Sequence, residues 1–186
     1  MGTMGTLQIV LIAAGAVVLL ILFWFIGKSN SFKRLRNKLT ESQSGIEVAL
    51  TKRYDMLTKL FDVAKGYMNF ERDTMTQVIN LRKGMSMSEM KDASAKMDDM
   101  QRSINVVAEN YPQLRSSDVV VNLQAGVRDA EEHLQAARRL FNSNATMYNN
   151  AIQVFPGSIV AGMKGLKSSE YFEAEEAKKQ DVSMKF

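Results

Sequence analysis

Apolar side chains follow two rhythms along this chain: an unbroken run near the N-terminus, then a three-and-four spacing that continues to about residue 163. The unbroken run, residues 7–26, reads LQIVLIAAGAVVLLILFWFI, and Gln8 is its one clearly polar side chain. A bilayer core about 30 Å thick takes about 20 helical residues, so the run has the length and character of a transmembrane helix. Phe23, Trp24 and Phe25 end it with rings suited to a membrane interface. A cleaved signal peptide would carry a basic stretch first, a shorter apolar core and a small-residue site afterwards. Here no charge precedes the run and bulky residues close it, so the pattern predicts an uncleaved anchor.

Beyond it, Leu39, Ile46, Leu50, Leu57, Leu60, Ala64 and Tyr67 share one helix face, and Met75, Val78 and Leu81 continue the stripe. The spacing predicts a helix over residues 31–83, roughly 80 Å long at about 1.5 Å per residue. Gly45 and Gly66 mark kinks or close-packing points within it. Gly84 is a helix stop. Ser86 and Glu89 have capping-box spacing, and the helix they begin runs to about Asn110 with Met90, Ala93, Met97, Met100, Ile104 and Val107 inside. Tyr111-Pro112 breaks it. Ser116 and Ser117 are caps for a third helix, whose stripe is Val120, Leu123, Val127, Ala130, Leu134, Ala137, Phe141, Ala145, Tyr148 and Ile152. Pro156-Gly157 ends that helix, and a short one follows over residues 158–163. Short connections make neighbouring helices antiparallel. The predicted class is all-α: one N-terminal transmembrane helix, then a long-helix antiparallel bundle of three to four helices. Residues 1–27 form the N-terminal tail and span, 28–40 a basic collar and 41–163 the bundle. Residues 164–186 form a polar tail expected to fray.

Charge sharpens this division. The formal net charge is +4, yet Lys28, Lys33, Arg34, Arg36 and Lys38 all precede the first acid, Glu41. The rest of the chain is therefore close to neutral. A nucleic-acid footprint would be a basic face on the folded part, so nucleic acid is not an expected partner. The five collar residues suit anionic lipid headgroups, at about 1 kcal/mol each near the surface. Basic flanks stay cytoplasmic. The expectation is thus a single-pass protein of the bacterial cytoplasmic membrane, N-terminus outside and C-terminal domain in the cytoplasm.

Catalytic signatures are sparse. Without cysteine there is no disulfide, thiolate metal site or cysteine nucleophile. The one histidine, His133, stands beside Glu131 and Glu132 and reads as solvated, because a metal needs several converging ligands. Asp98-Asp99 and Glu131-Glu132 are adjacent pairs that diverge on a helix and read as solvated faces. Met85, Met87, Met90, Met97 and Met100 have thioethers that could take Cu(I), but unaccompanied by His or Cys they read as adaptable core filler. No phosphate loop, nucleophile elbow or dinucleotide fingerprint is present. No catalytic residue, cofactor or metal is expected.

Two sets of residues invite a role in recognition. Arg138, Arg139, Asn142 and Asn149 interleave with Phe141 and Tyr148. They are either a helix surface with cations near its negative end or a polar seam that sets helix register or partner choice. Ala13, Ala14, Gly15 and Ala16 allow close helix approach in lipid. With Leu50 on the following helix, they predict a self-association surface and a homo-oligomer.

Specific motifs extend over nearly the whole chain. They are Lys52-Arg53-Tyr54-Asp55 followed by Leu57, Leu60 and Phe61; Lys65-Gly66-Tyr67 with Glu71; Tyr111-Pro112-Gln113-Leu114; Ala137-Arg138-Arg139-Leu140-Phe141-Asn142; Tyr148-Asn149 with Ile152; Phe155-Pro156; and Tyr171-Phe172-Glu173. Together with the N-terminal span, this order resembles the LemA family of bacterial membrane-anchored proteins. Thr58, Phe70 and Phe141 depart from it, standing where that family usually has proline, often histidine and usually tyrosine. The resemblance implies a long-helix bundle, often four-helical, and no established enzymatic activity. The expected function is a non-enzymatic membrane-anchored scaffold that binds itself and a membrane or cytoplasmic protein partner. The rival expectations are an oligomeric membrane-shaping assembly and an accessory subunit or enzyme with an unrecognised site.

Overall fold

A computed structural model describes residues 2–67, 81 and 84–172 of the chain. Helix α1, Gly2–Ala64, runs without a break through the apolar run, the collar and the first soluble stripe. Gly45 does not interrupt it. The sequence predicts helix to residue 83, but α1 ends at Ala64 and tightens into a 3-10 turn at Lys65–Tyr67, around Gly66. A tightened last turn satisfies carbonyls that a helix end leaves orphaned. The predicted stripe residues Met75 and Val78 lie outside the described residues.

Helix α2 is Met87–Asn110, and its start is the predicted capping box. The Glu89 N–H donates to Ser86 Oγ at 3.3 Å, and the Ser86 N–H donates to Glu89 Oε2 at 2.7 Å. Tyr111-Pro112 does more than break the chain: Pro112 opens a one-turn helix, α3, Pro112–Arg115. Proline suits that first position because its missing N–H would have no helical partner there. Helix α4 is Asp118–Gln153 and α5 is Gly157–Met163. Among the described residues there is no strand.

The chain forms two compact units. The second comprises Thr40–Ser143 and Glu170–Phe186. Its core takes Ile46, Leu50, Leu57 and Leu60 from α1, Met90, Met97 and Ile104 from α2, Leu114 from α3, and Val120, Val127, Leu134 and Phe141 from α4. The stripes read from periodicity are thus the buried faces of this unit, except that Leu81, Met100, Leu123 and Ala137 are only half-buried.

The first unit comprises Met1–Leu39 and Asn144–Ser169. Phe32, Tyr148, Ile152, Val160 and Ala161 form its core, flanked by Phe25, Leu35, Leu39, Ala151 and Leu166. Val17, Leu20 and the other large apolar side chains of residues 7–24 remain exposed. This is the one helix among the described residues long and apolar enough to cross a membrane. Gly165 adopts φ +62° after α5, with Leu166 N–H donating to Ala161 O at 3.0 Å and Gly165 N–H to Gly162 O at 3.1 Å. That is a Schellman stop, which favours glycine in the left-handed position. The tail therefore does not fray at residue 164: Leu166 joins the first core, and Phe172 is buried in the second unit.

Gly157 lets α5 approach the end of α4. A Cβ there would lie 2.4 Å from the Ala151 carbonyl oxygen and 3.5 Å from the Phe32 ring. Backbone cannot yield as a flexible side chain can, so Gly157→Ala is expected to destabilise the fold by about 1–3 kcal/mol. Gly162→Ala meets open space and should leave the melting temperature unchanged or raise it. Circular dichroism melts of both variants in detergent check the pair. Equal melting temperatures would remove the close approach from the account.

Candidate functional site

The most unusual group in the second unit is a buried arginine. Arg53 lies on α1 at a core-facing position and is 2% exposed. Its Nη2 donates to Asp98 Oδ1 at 2.6 Å and to Gln101 Oε1 at 3.0 Å, both on α2. Its Nε lies 3.0 Å from Glu131 Oε2 on α4, close enough for an ion pair but out of line for a hydrogen bond. An unpaired guanidinium in this position would be prohibitive. Two carboxylates from two helices neutralise it.

Arg138 extends the network. Its Nη2 donates to Ser94 Oγ on α2 at 2.6 Å, and its guanidinium carbon lies 4.6 Å from the centre of the Phe172 ring. A cation over an aromatic face is held by the ring quadrupole. Burial pulls the Arg138 guanidinium below the usual arginine range, and the neighbouring Glu131 carboxylate opposes that shift. The network therefore joins α1, α2, α4 and the tail with two cations and two anions.

This corrects one expectation. Asp99 pairs at the surface with Arg102, and Glu132 is exposed, as a solvated face requires. Asp98 and Glu131 instead turn inward to Arg53. The sequence did carry a signal. The α1 stripe passes from Leu50 directly to Leu57, and Arg53 occupies the core-facing position that this seven-residue gap skips.

The polar seam resolves into separate roles. In the second unit, Asn142 Nδ2 donates to the Phe172 carbonyl at 3.0 Å and its Oδ1 accepts the Phe172 N–H at 2.8 Å. In the first unit, Asn149 treats Ser169 identically, at 3.0 Å and 2.8 Å. Each amide thus satisfies both backbone groups of one residue, as a neighbouring strand would. Gln153 adds a bond to Ser168 Oγ at 2.9 Å. Arg138 belongs to the charge network, and Arg139 is exposed. Asn144 donates to the Lys38 carbonyl at 3.3 Å.

The remaining candidates are distributed along α1. Lys33, Arg34, Arg36 and Lys38 are exposed and Lys28 is half-buried. Ala13, Ala14, Gly15 and Ala16 are exposed. Leu50 has no exposed surface, so the chain's own bundle covers it and it leaves the set of surface candidates. His133 lies on the surface with its Nε2 3.5 Å from Asp129, whose carboxyl is held below its usual range chiefly by a hydrogen bond from Lys52. An open groove of about 570 Å³ along α1 is lined by Glu47, Thr51, Lys52, Asp55 and Lys59 around Val48 and Met56.

Removing Arg53 alone would take one of the network's two cations from Asp98 and Glu131. Arg53→Ala is expected to cost about 3–5 kcal/mol, measured by chemical denaturation, whereas Arg102→Ala at the exposed pair should cost under about 1 kcal/mol. Similar costs for the two would mean that burial of the Arg53 cluster is immaterial. Asn149→Ala removes two hydrogen bonds of about 1 kcal/mol each, so the tail should open about tenfold more often or better. Faster tryptic cleavage after the exposed Lys167 reports this, and an unchanged rate would show that the amide does not hold the tail.

The family model described as "LemA family" matches residues 42–186, which contain the whole Arg53 network. Protein LemA of Metamycoplasma hominis is 27% identical over 165 residues, covering 86% of this chain and 75% of the relative. Magnetosome protein MamQ of Magnetospirillum gryphiswaldense is 32% identical over 71 residues, 38% of this chain and only 26% of that protein. Magnetosome protein MamQ 2 of Paramagnetospirillum magneticum is 30% identical over the same shares. With the family model matched from residue 42 to residue 186, the chain belongs to the LemA family.

Proposed function

We propose that this chain is a non-enzymatic scaffold, anchored by α1 and presenting its helical bundle to protein partners at the cytoplasmic face of a bacterial membrane. The observation that carries this reading is α1 itself. One uninterrupted helix contains the apolar run, the basic collar and the arginine on which the second unit's charge network converges. An anchor built into the first core helix is suited to holding a bundle at a surface. The buried ionisable groups support the same reading. Arg53 is engaged with Asp98, Glu131 and Gln101, and Arg138 with Ser94 and Phe172, where catalysis would want such groups turned towards a cleft. None of the named relatives carries the name of an enzyme.

The collar of Lys28, Lys33, Arg34, Arg36 and Lys38 faces anionic headgroups in this reading and retains the C-terminal domain inside. Self-association runs through Ala13, Ala14, Gly15 and Ala16, where small side chains permit close helix contact in lipid.

Orientation and self-association are tested separately. A reporter fused after Phe186 is expected to be active in the cytoplasm; activity on the outer side would overturn the orientation. Ala14→Cys is expected to crosslink between copies in native membranes, while Leu50→Cys, buried in its own bundle, should not. Absence of the Ala14 crosslink, with monomeric sedimentation after solubilisation, would sink self-association and leave anchoring untouched.

A further inference from the structure

The end of α4 and the whole of α5 expose more apolar surface than a solvated corner should. Val154 is 60% exposed, Phe155 75%, Ile159 54% and Met163 73%. Single exposed apolar residues are ordinary, but these four fall within ten residues of one another. Helix α5, GSIVAGM, has Ser158 as its one polar side chain. Its inner face, Gly157, Val160 and Ala161, is buried in the first core, and its outer face is apolar too. A helix that is apolar all round belongs in a protein core or in lipid.

The neighbours of the corner indicate which. Val160 and Ala161 share a core with Phe32, and Phe25 packs against that core. Val154, Phe155 and Gly157 line a recess together with Lys28. Lys164 hydrogen-bonds Ser29 and lies 6.0 Å from the centre of the Phe25 ring. The corner therefore packs where the apolar run of α1 gives way to the basic collar. If residues 7–26 occupy the hydrocarbon, the residues that follow, 27–32, pass through the headgroup region, and whatever packs at that junction lies at that depth. Lys28, Lys164 and Lys167 supply the cations that accompany apolar side chains in interfacial elements.

We infer that Val154, Phe155, Ile159 and Met163 form a second membrane contact, a non-spanning wedge seated at the headgroup–acyl boundary beside the end of the α1 span. It rests on the anchoring reading and adds to it a second attachment, fixed to the first through the core around Phe32. A first unit held at two points on the bilayer has a defined tilt and rotation, which one span alone would not impose.

The chain contains no cysteine, so single cysteines can be introduced into the full-length protein. Phe155→Cys, Ile159→Cys and Met163→Cys, each labelled with an environment-sensitive fluorophore, are reconstituted in phosphatidylcholine–phosphatidylglycerol vesicles. Val17→Cys serves as the span reference. Val106→Cys on α2, 57% exposed, serves as the reference for an exposed apolar position elsewhere. The expected result is blue-shifted emission at the three corner positions and severalfold stronger quenching there than at residue 106 by lipid carrying a nitroxide near the top of its acyl chain. Both should persist as lipid is added in excess. Lipid contact at residue 17 with water-like emission at all three corner positions would overturn the wedge and leave the anchor standing. Water-like emission at residue 17 as well would overturn both. A blue shift that lipid does not quench and that fades on dilution into excess lipid would mean that a second copy covers the corner, and would also overturn the inference.

Discussion

A guanidinium in an apolar stripe cannot be left alone, and much of the second unit follows from that constraint. Leucine at position 53 would pack acceptably against several arrangements of α2 and α4. Arginine there requires Asp98 and Gln101 from one helix and Glu131 from another at the same time. Buried ion pairs contribute little net stability compared with well-packed apolar groups. Their effect here is on the choice among alternatives: a slip of either partner helix by one residue would turn its carboxylate away and leave a buried charge. Glu131 couples this requirement to Arg138, and Arg138 carries it on to Ser94 and the Phe172 ring. Helix register and tail position thus depend on a single charge-balanced set.

The extended tail presents the complementary problem. Its backbone groups have no helix to satisfy them, and buried N–H and C=O groups need partners. Asparagine suits this because one side chain offers a donor and an acceptor in the geometry of a peptide group. Asn149 meets Ser169 in this way in the first unit, and Asn142 meets Phe172 in the second. The Schellman stop at Gly165 precedes this stretch and turns the chain out of α5. Polar residues that look like helix surface in the sequence therefore recognise another part of the same chain.

Local signals were the legible ones. The span, the Ser86–Glu89 box and the stripes of α2 and α4 depend on neighbours within a few residues, and sequence periodicity reports those directly. Signals that need a distant partner were hidden. Arg53 showed itself only as a gap between Leu50 and Leu57. The tail's polar composition suggested fraying, because its partners Asn142 and Asn149 lie 30 and 20 residues away. Leu50 looked available for another copy because periodicity identifies an apolar face without saying what covers it, and the bundle covers it completely. Asp98 and Glu131 misled for a related reason. Adjacent acids do diverge on a helix, but divergence allows one member of each pair to face inward, and here one does.

The two halves of the charge distribution then have different physical meanings. Before Glu41 the chain carries five cations and no anion, so no acid of that stretch can neutralise them. In the second unit, cations and anions meet across helices and cancel over a few ångströms. A field that cancels internally attracts nothing at long range, whereas a run of like charges beside an apolar segment can attract surfaces of the opposite sign. On the proposed reading, attraction to a bilayer belongs to α1 and the corner packed against it. Selectivity for protein partners, on the proposed reading, has to come from short-range complementarity on the bundle surface. The groove along α1 is suited to that, since Glu47, Lys52, Asp55 and Lys59 set both signs of charge around the apolar side chains of Val48 and Met56.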